Sequence, residues 1–235
     1  NLKKSHKKKR EDPVHKKQLQ KIKNRKTKNL KQSGGRHGKI SSVYVIDNPG
    51  VEKLIRNQYQ KPEEYEKWYK IKHQAKDLIK KSIYLIPELL NDDLKKFSII
   101  SCPGCYPTSI QIPLIPIIKK RLILANNIIV DSKSGYSGAG KNLKKKFKVT
   151  NIFQSVSAYS VGSHRHMPEI DQELSKANKS LINIVFTPHL SPMFRGILST
   201  IYINLPKKIN AKMIYNYLKK YYKKSHFIKI NKFNM

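Results

Sequence analysis

Acidic residues and cysteines are both scarce in this chain, and each scarcity closes off a class of protein. Of 235 residues only 15 are Asp or Glu, against 49 Lys or Arg, for a formal charge of +34. Two cysteines, Cys102 and Cys105, are too few for a disulfide framework and fit a reducing, cytoplasmic setting. No run of about 18 apolar residues occurs, so no membrane span is expected. The N-terminus is charged but lacks a following apolar core, so no secretory signal is expected there. Hydrophobic content is only 38%, yet the length allows one large domain or two small ones with a real core.

Charge of this size suggests either a binding footprint for nucleic acid or compositional drift, since Lys, Ile, Asn and Tyr are all abundant. Beyond position 42 the basic residues are spread among apolar segments, which favours drift. Residues 1–42 differ: they are dense with Lys and Arg and hold only Glu11 and Asp12 as acids. Such a segment cannot bury enough surface to offset its ordering entropy, so a disordered tail is expected there. Any nucleic-acid partner would bind through that tail.

From position 43 the pattern is mixed. Strands are expected at Val43–Asp47, Ile83–Ile86, Phe97–Ser101, Ile128–Ser132, Val156–Val161, Ile182–Thr187 and Ile197–Leu205. Helices are expected over Pro62–Lys81, Pro87–Lys96, Pro168–Lys176 and Ala211–Tyr222. Thr108–Leu122 has helical apolar density, but Pro113 and Pro116 predict a kink or short turns. This order is an α/β or α+β layout of the enzyme kind.

Four segments carry chemistry. In Ser101-Cys-Pro-Gly-Cys-Tyr-Pro-Thr-Ser109 a strand meets a Pro-Gly turn and Cys105 stands at a helix mouth, where free N–H groups favour a thiolate. That thiolate would be a nucleophile, and the same N–H groups would hold an oxyanion. Cys102-Pro-Gly-Cys105 is also a CxxC pair. Spacing alone therefore leaves a catalytic thiol, a redox pair and a structural cysteine open, while a closed zinc site lacks a second pair. Ser134-Gly-Tyr-Ser-Gly-Ala-Gly140 follows a strand, and its glycines would let backbone approach a phosphate or nicotinamide. His164-Arg-His-Met-Pro-Glu-Ile170 puts two imidazoles at i and i+2, on one face if extended, with either suited to move a proton near neutrality. No carboxylate-and-histidine set completes a metal site. Arg195, in the loop before the last strand, would hold a phosphate or carboxylate through its planar fork.

Taken in order, these segments resemble N-acetyl-gamma-glutamyl-phosphate reductase of the aspartate-semialdehyde dehydrogenase superfamily. The match rests on Pro103-Gly-Cys-Tyr-Pro-Thr108, Ser134–Gly140, Ala158-Tyr159 with His164–Ile170, and Phe186–Thr200; Tyr65–Tyr69 and Tyr84–Glu88 add to it. It covers roughly residues 57–235. The resemblance implies an α/β fold, with an α+β catalytic domain holding a mixed sheet at 102–235 and the remnant of a Rossmann-like nucleotide domain at 43–101. It implies that Cys105 attacks an acyl phosphate, that NADP(H) reduces the resulting thioester, and that His164 or His166 is the acid/base. Glu169 would orient that histidine. Ser134, Gly135, Ser137, Gly138, Ala139 and Gly140 would face the cofactor, and Tyr159 and Arg195 the substrate. The complete enzyme would be a homo-oligomer.

The departures are equally specific. No glycine-rich dinucleotide turn occurs in 1–42, the Asn48–Arg56 stretch departs from the family's sequence, and Lys141 stands where Arg is common. The family's final segment would lie beyond Met235, so a chain truncated at both ends with weak or absent activity is expected. A basic nucleic-acid-binding protein, a CxxC redox protein and a non-catalytic remnant are the competing readings.

Overall fold

A computed structural model describes residues 61–70, 72–73, 76–90, 94–138 and 154–233. The basic segment 1–42, the expected strand Val43–Asp47, and Ala139 and Gly140 lie outside them.

Pro62 at the first helical position and Glu63 and Glu64 in the first turn start α1 (Pro62–Tyr69). The sequence pattern predicts a single helix to Lys81, but Lys70 turns left-handed (φ 55°) and closes α1 with its N–H on the Glu66 carbonyl. The Glu66 carboxylate accepts from His73 N at 3.1 Å and meets Lys76 Nζ at 3.2 Å, joining α1 to the short α2 (Lys76–Ile79). Strands β1 (Ser82–Tyr84) and β2 (Ile99–Ser101) then pair in parallel. Between them the helix expected over Pro87–Lys96 is reduced to two 3₁₀ turns, Pro87–Leu89 and Leu94–Lys96, because Leu90 returns to extended backbone.

α3 (Cys105–Lys119) runs unbroken through Pro113 and Pro116, where the sequence predicts a kink or short turns. Magnitudes explain the difference. An interior proline costs about 3 kcal/mol, whereas each fully buried Leu, Ile or aromatic side chain contributes about 1.5–3 kcal/mol. Tyr106, Ile110, Leu114, Ile117 and Ile118 are all buried to 3% exposure or less. Tertiary burial wins.

The second sheet has the order β4-β5-β3-β6: β4 (Ser157–Ala158), β5 (Val185–Ser191), β3 (Leu124–Gly135) and β6 (Ile197–Asn204). β3 pairs in parallel with β5 and antiparallel with β6, so the sheet is mixed and the fold is α/β. Parallel neighbours need a crossover, and α4 (Met167–Asn178) lies in the one joining β3 to β5. Alternation in β3 sends Ile128 and Val130 inward with Phe186, against α3 and α4. The opposite face stays open: Ile129, Val185, Leu198 and Tyr202 are 43%, 58%, 61% and 57% exposed. α5 (Ala211–Tyr221) follows β6, capped by the Asn210 side chain, which accepts from Met213 N.

Asp171 ties α4 to the approach of β5 by accepting from Ile184 N at 3.1 Å. Burial raises its carboxyl from 3.8 to about 6, the bond from Ile184 opposing. A raised value in the fold means that stability is fullest below the unfolded value and is lost as pH rises through about 6. Asp171→Asn keeps the acceptor and removes the charge. It is expected to stabilise the chain above that pH by about 1 kcal/mol, after discounting for solvent screening at this half-buried group. Below the unfolded value it should be neutral. Thermal unfolding across that range reads the difference; a parallel offset at every pH contradicts it.

Candidate active site

β2 ends at Ser101, and four residues later, at Cys105, the chain enters α3. Gly104 is the N-cap (φ −68°, ψ 171°), Cys105 the first helical residue, and both Cys102 and Cys105 are exposed and outside any disulfide. Thr108 closes the turn by donating to the Gly104 carbonyl from its amide at 3.0 Å and its hydroxyl at 2.8 Å.

The histidine segment arrives at this same point from 60 positions further on. His166 caps α4, and the Nε2 edge of its ring lies against Gly104: a Cβ there would sit 2.6 Å from Nε2 and 2.7 Å from Cε1. His166 N donates to His164 Nδ1 at 3.1 Å, so a neutral His164 carries its proton on Nε2. The two rings are 4.8 Å apart, and both are buried to 9% exposure or less. Glu169, in the first turn of α4, is 1% exposed and accepts from Gly104 N at 3.1 Å and from the Tyr84 hydroxyl at 2.8 Å. Gly104 is thus held on its Cα face by His166 and at its amide by Glu169. The sequence reading made Glu169 a partner for a histidine, and the amide of Gly104 went unnoticed.

Tyr106 and Tyr159 complete the cluster. Their hydroxyls are 2.9 Å apart, and the Tyr106 ring meets His164 and His166 edge-on at 5.4 and 6.1 Å. Burial holds the Tyr106 hydroxyl far above its ordinary range, with the Tyr159 bond and the nearby Cys105 adding to it and a bond to Ser134 opposing. Tyr159 is also raised, first by burial and then by the charge of Cys105, while Arg165 and the Tyr106 bond lower it. Both phenols therefore stay protonated, and the bond between them uses one of the two protons. Arg165, between the two histidines, has its guanidinium 5.9 Å from the Tyr69 ring of α1. The sequence reading passed over Tyr106 and Arg165, although each adjoins a residue it singled out.

The glycine segment and Arg195 meet at the end of the sheet. Gly135, Tyr136 and Ser137 donate their amides to the carbonyls of Gly196, Met193 and Phe194 at 2.9, 3.0 and 3.0 Å. Ser134 is buried beside Tyr106; Ser137 and Gly138 are exposed. Arg195 is exposed with its guanidinium 5.2 Å from the Phe194 ring. Gly135 has a structural reason to stay small, whatever its part in holding a cofactor. A Cβ there would lie 2.9 Å from Arg195 N, Met193 O and Phe194 O, all rigid backbone. Gly135→Ala is accordingly expected to lower stability by about 1–3 kcal/mol, read as a fall in melting temperature. An unchanged melting temperature would mean that the strap between the two loops carries no strain.

Comparison with known proteins bears on the same residues. The family model for the semialdehyde dehydrogenase dimerisation domain matches residues 105–235. The chain belongs to the semialdehyde dehydrogenase family. A protein from Clostridium novyi named N-acetyl-gamma-glutamyl-phosphate reductase is 46% identical over 190 residues, covering 81% of this chain and 54% of its own. One from Arabidopsis thaliana, named probable N-acetyl-gamma-glutamyl-phosphate reductase, chloroplastic, is 44% identical over 167 residues, covering 71% and 42%. This semialdehyde dehydrogenase family chain therefore spans about half the length of the curated relatives it matches. A solved aspartate semialdehyde dehydrogenase from Francisella tularensis superposes with a TM-score of 0.46 at 12% identity, over 60% of this chain and 52% of that one. Among the described residues no helix is long and apolar enough to cross a membrane.

Proposed function

We propose that this chain is the catalytic part of an N-acetyl-gamma-glutamyl-phosphate reductase, with Cys105 as nucleophile and His166 as acid/base. The observation that carries the reading is the packing of the His166 ring on Gly104, which sets an imidazole beside the helix mouth where the thiol stands. The names of the relatives favour it over a nucleic-acid-binding protein or a CxxC redox protein, and those alternatives gain no support from them.

In this reading the Cys105 proton passes to His166 and the sulfur forms a bond to the acyl carbon. The carbon–oxygen bond to phosphate then breaks, inorganic phosphate leaves, and a thioester remains on Cys105. The amides of the first turn of α3 face the developing oxyanion, and Tyr159 and Arg195 hold the substrate. A nicotinamide dinucleotide, NADP(H) in our reading, would supply the hydride that takes the thioester to the aldehyde level. His166 would protonate the resulting oxygen; on collapse the carbon–sulfur bond breaks, the sulfur leaves as thiolate, the hydroxyl proton returns to His166, and the semialdehyde is released. His164, its Nδ1 occupied by the His166 amide, holds the adjoining turn.

For the cofactor, the described residues offer a lip rather than a full site. The exposed edge of Ser137 and Gly138 adjoins Ser134 and Tyr106 and fits a nicotinamide; the family's glycine-rich phosphate turn is not found among them. We take 43–101 as the nucleotide-domain part and 102–235 as the catalytic part, supported by the separate sheets on either side of Cys102. The open apolar face of the second sheet fits self-association, in keeping with the family's designation as a dimerisation domain. Two cysteines outside any disulfide fit a cytoplasmic setting.

The test needs no cofactor. The chain is incubated with N-acetyl-gamma-glutamyl phosphate, and the acyl adduct is located by mass spectrometry alongside phosphate release. An adduct on Cys105 is expected. Phosphate release without one, or an adduct on Cys102 alone, sinks the proposal.

A further inference from the structure

We infer that Tyr84 is a positioning residue for Cys105, acting through Glu169, an inference that rests on Cys105 being the nucleophile. Three elements converge on one carboxylate oxygen. Tyr84 on β1 donates to Glu169 Oε1 at 2.8 Å, and the same oxygen accepts the amide of Gly104, the residue before Cys105, at 3.1 Å. Behind Tyr84, Gln111 on α3 donates from Nε2 to its hydroxyl at 2.9 Å. The Gln111 Oε1 lies 3.3 Å from that hydroxyl, farther than Glu169, so the single phenolic proton goes to the charged acceptor.

The burial makes this arrangement consequential. Glu169 and Gln111 are each 1% exposed. A carboxylate that deep is strongly unfavourable unless donors surround it, and with donors it is fixed in place. Tyr84 remains a donor throughout, since burial and then the Glu169 charge push its hydroxyl far above the ordinary range. Glu169 stands three residues after His166 in the first turn of α4. One anchored carboxylate therefore sets both the amide at the mouth of α3 and the turn that carries the imidazole. Tyr84 reaches it from the other sheet, before Cys102, and so ties the register of β1 to the site.

Cys102 supplies an internal control, being an exposed thiol three residues from Cys105. The full chain is labelled with limiting iodoacetamide, and the ratio of Cys105 to Cys102 labelling is read by fragment mass spectrometry. A general loosening of the fold raises both; loss of positioning lowers the ratio. Tyr84→Phe, which keeps the ring, is expected to lower it about tenfold. In a Glu169→Gln background the same substitution should add nothing, because its effect passes through that carboxylate. A parent ratio near unity overturns the nucleophile reading together with this inference. A high parent ratio unchanged by Tyr84→Phe, or an equal fall in the Glu169→Gln background, overturns this inference alone. If Tyr84→Phe does not fold, Gln111→Met carries the test: a fall in the ratio is expected, and an unchanged ratio overturns it.

Discussion

Cys105→Ala is expected to reduce acyl transfer from the acyl phosphate by at least about 10⁴-fold, leaving only background hydrolysis. The argument is chemical. The sulfur is the atom that bonds to the acyl carbon, and in alanine nothing replaces it. Cys102→Ala should stay within about twofold of the parent, as an exposed substitution outside the site. The contrast between two thiols three residues apart is what makes the test sharp, because any effect of folding or of general thiol chemistry touches both. Equal losses in the two variants would favour a dithiol couple and withdraw the acyl-enzyme scheme.

Gly104→Ala should bring the second largest effect, and it isolates geometry from chemistry. Every functional group survives the substitution. The backbone at φ −68° suits alanine, and the amide that Glu169 accepts is still present. The one change is a methyl group placed 2.6 Å from His166 Nε2 and 3.3 Å from Cδ2, so the ring must shift from its place against Gly104. Displacing an acid/base by about 1 Å can lower a rate about 100-fold, and we expect acyl transfer to fall by that order with the melting temperature little changed. A variant of unchanged rate would show that His166 does not serve Cys105. A second outcome, loss of folding, is unlike what the geometry predicts, since the colliding atoms belong to one side chain and not to the backbone.

The site was more legible in the sequence than the elements that carry it. Cys105 after Pro-Gly, the paired histidines before a Pro-started helix, and Arg195 ahead of a strand each carry a local chemical signature, and their order matched one family. Element boundaries were less legible. The apolar positions of Pro62–Lys81 read as one helix, but whether Lys70 turns left-handed depends on closing bonds that Glu66 makes with His73 and Lys76, which no periodicity reports. Pro113 and Pro116 read as breakers because a local rule weighs only the lost hydrogen bonds. The weight on the other side is Tyr106 to Ile118 buried against the sheet. The roles of glycines were the least legible, since no local pattern reports that a side chain at Gly135 would meet the backbone of Met193–Arg195.

By itself the sequence determined which residue types are available for chemistry, the α/β order of elements and the family, because those depend on residue identity and short-range pattern. Only the tertiary structure decided that the ring on Gly104 is that of His166, that Glu169 holds an amide of the cysteine turn, and that Tyr84 reaches it from another sheet. Those are contacts across tens of residues. They are set by how helices pack on a sheet, a property of the assembled core that is written at no single position along the chain.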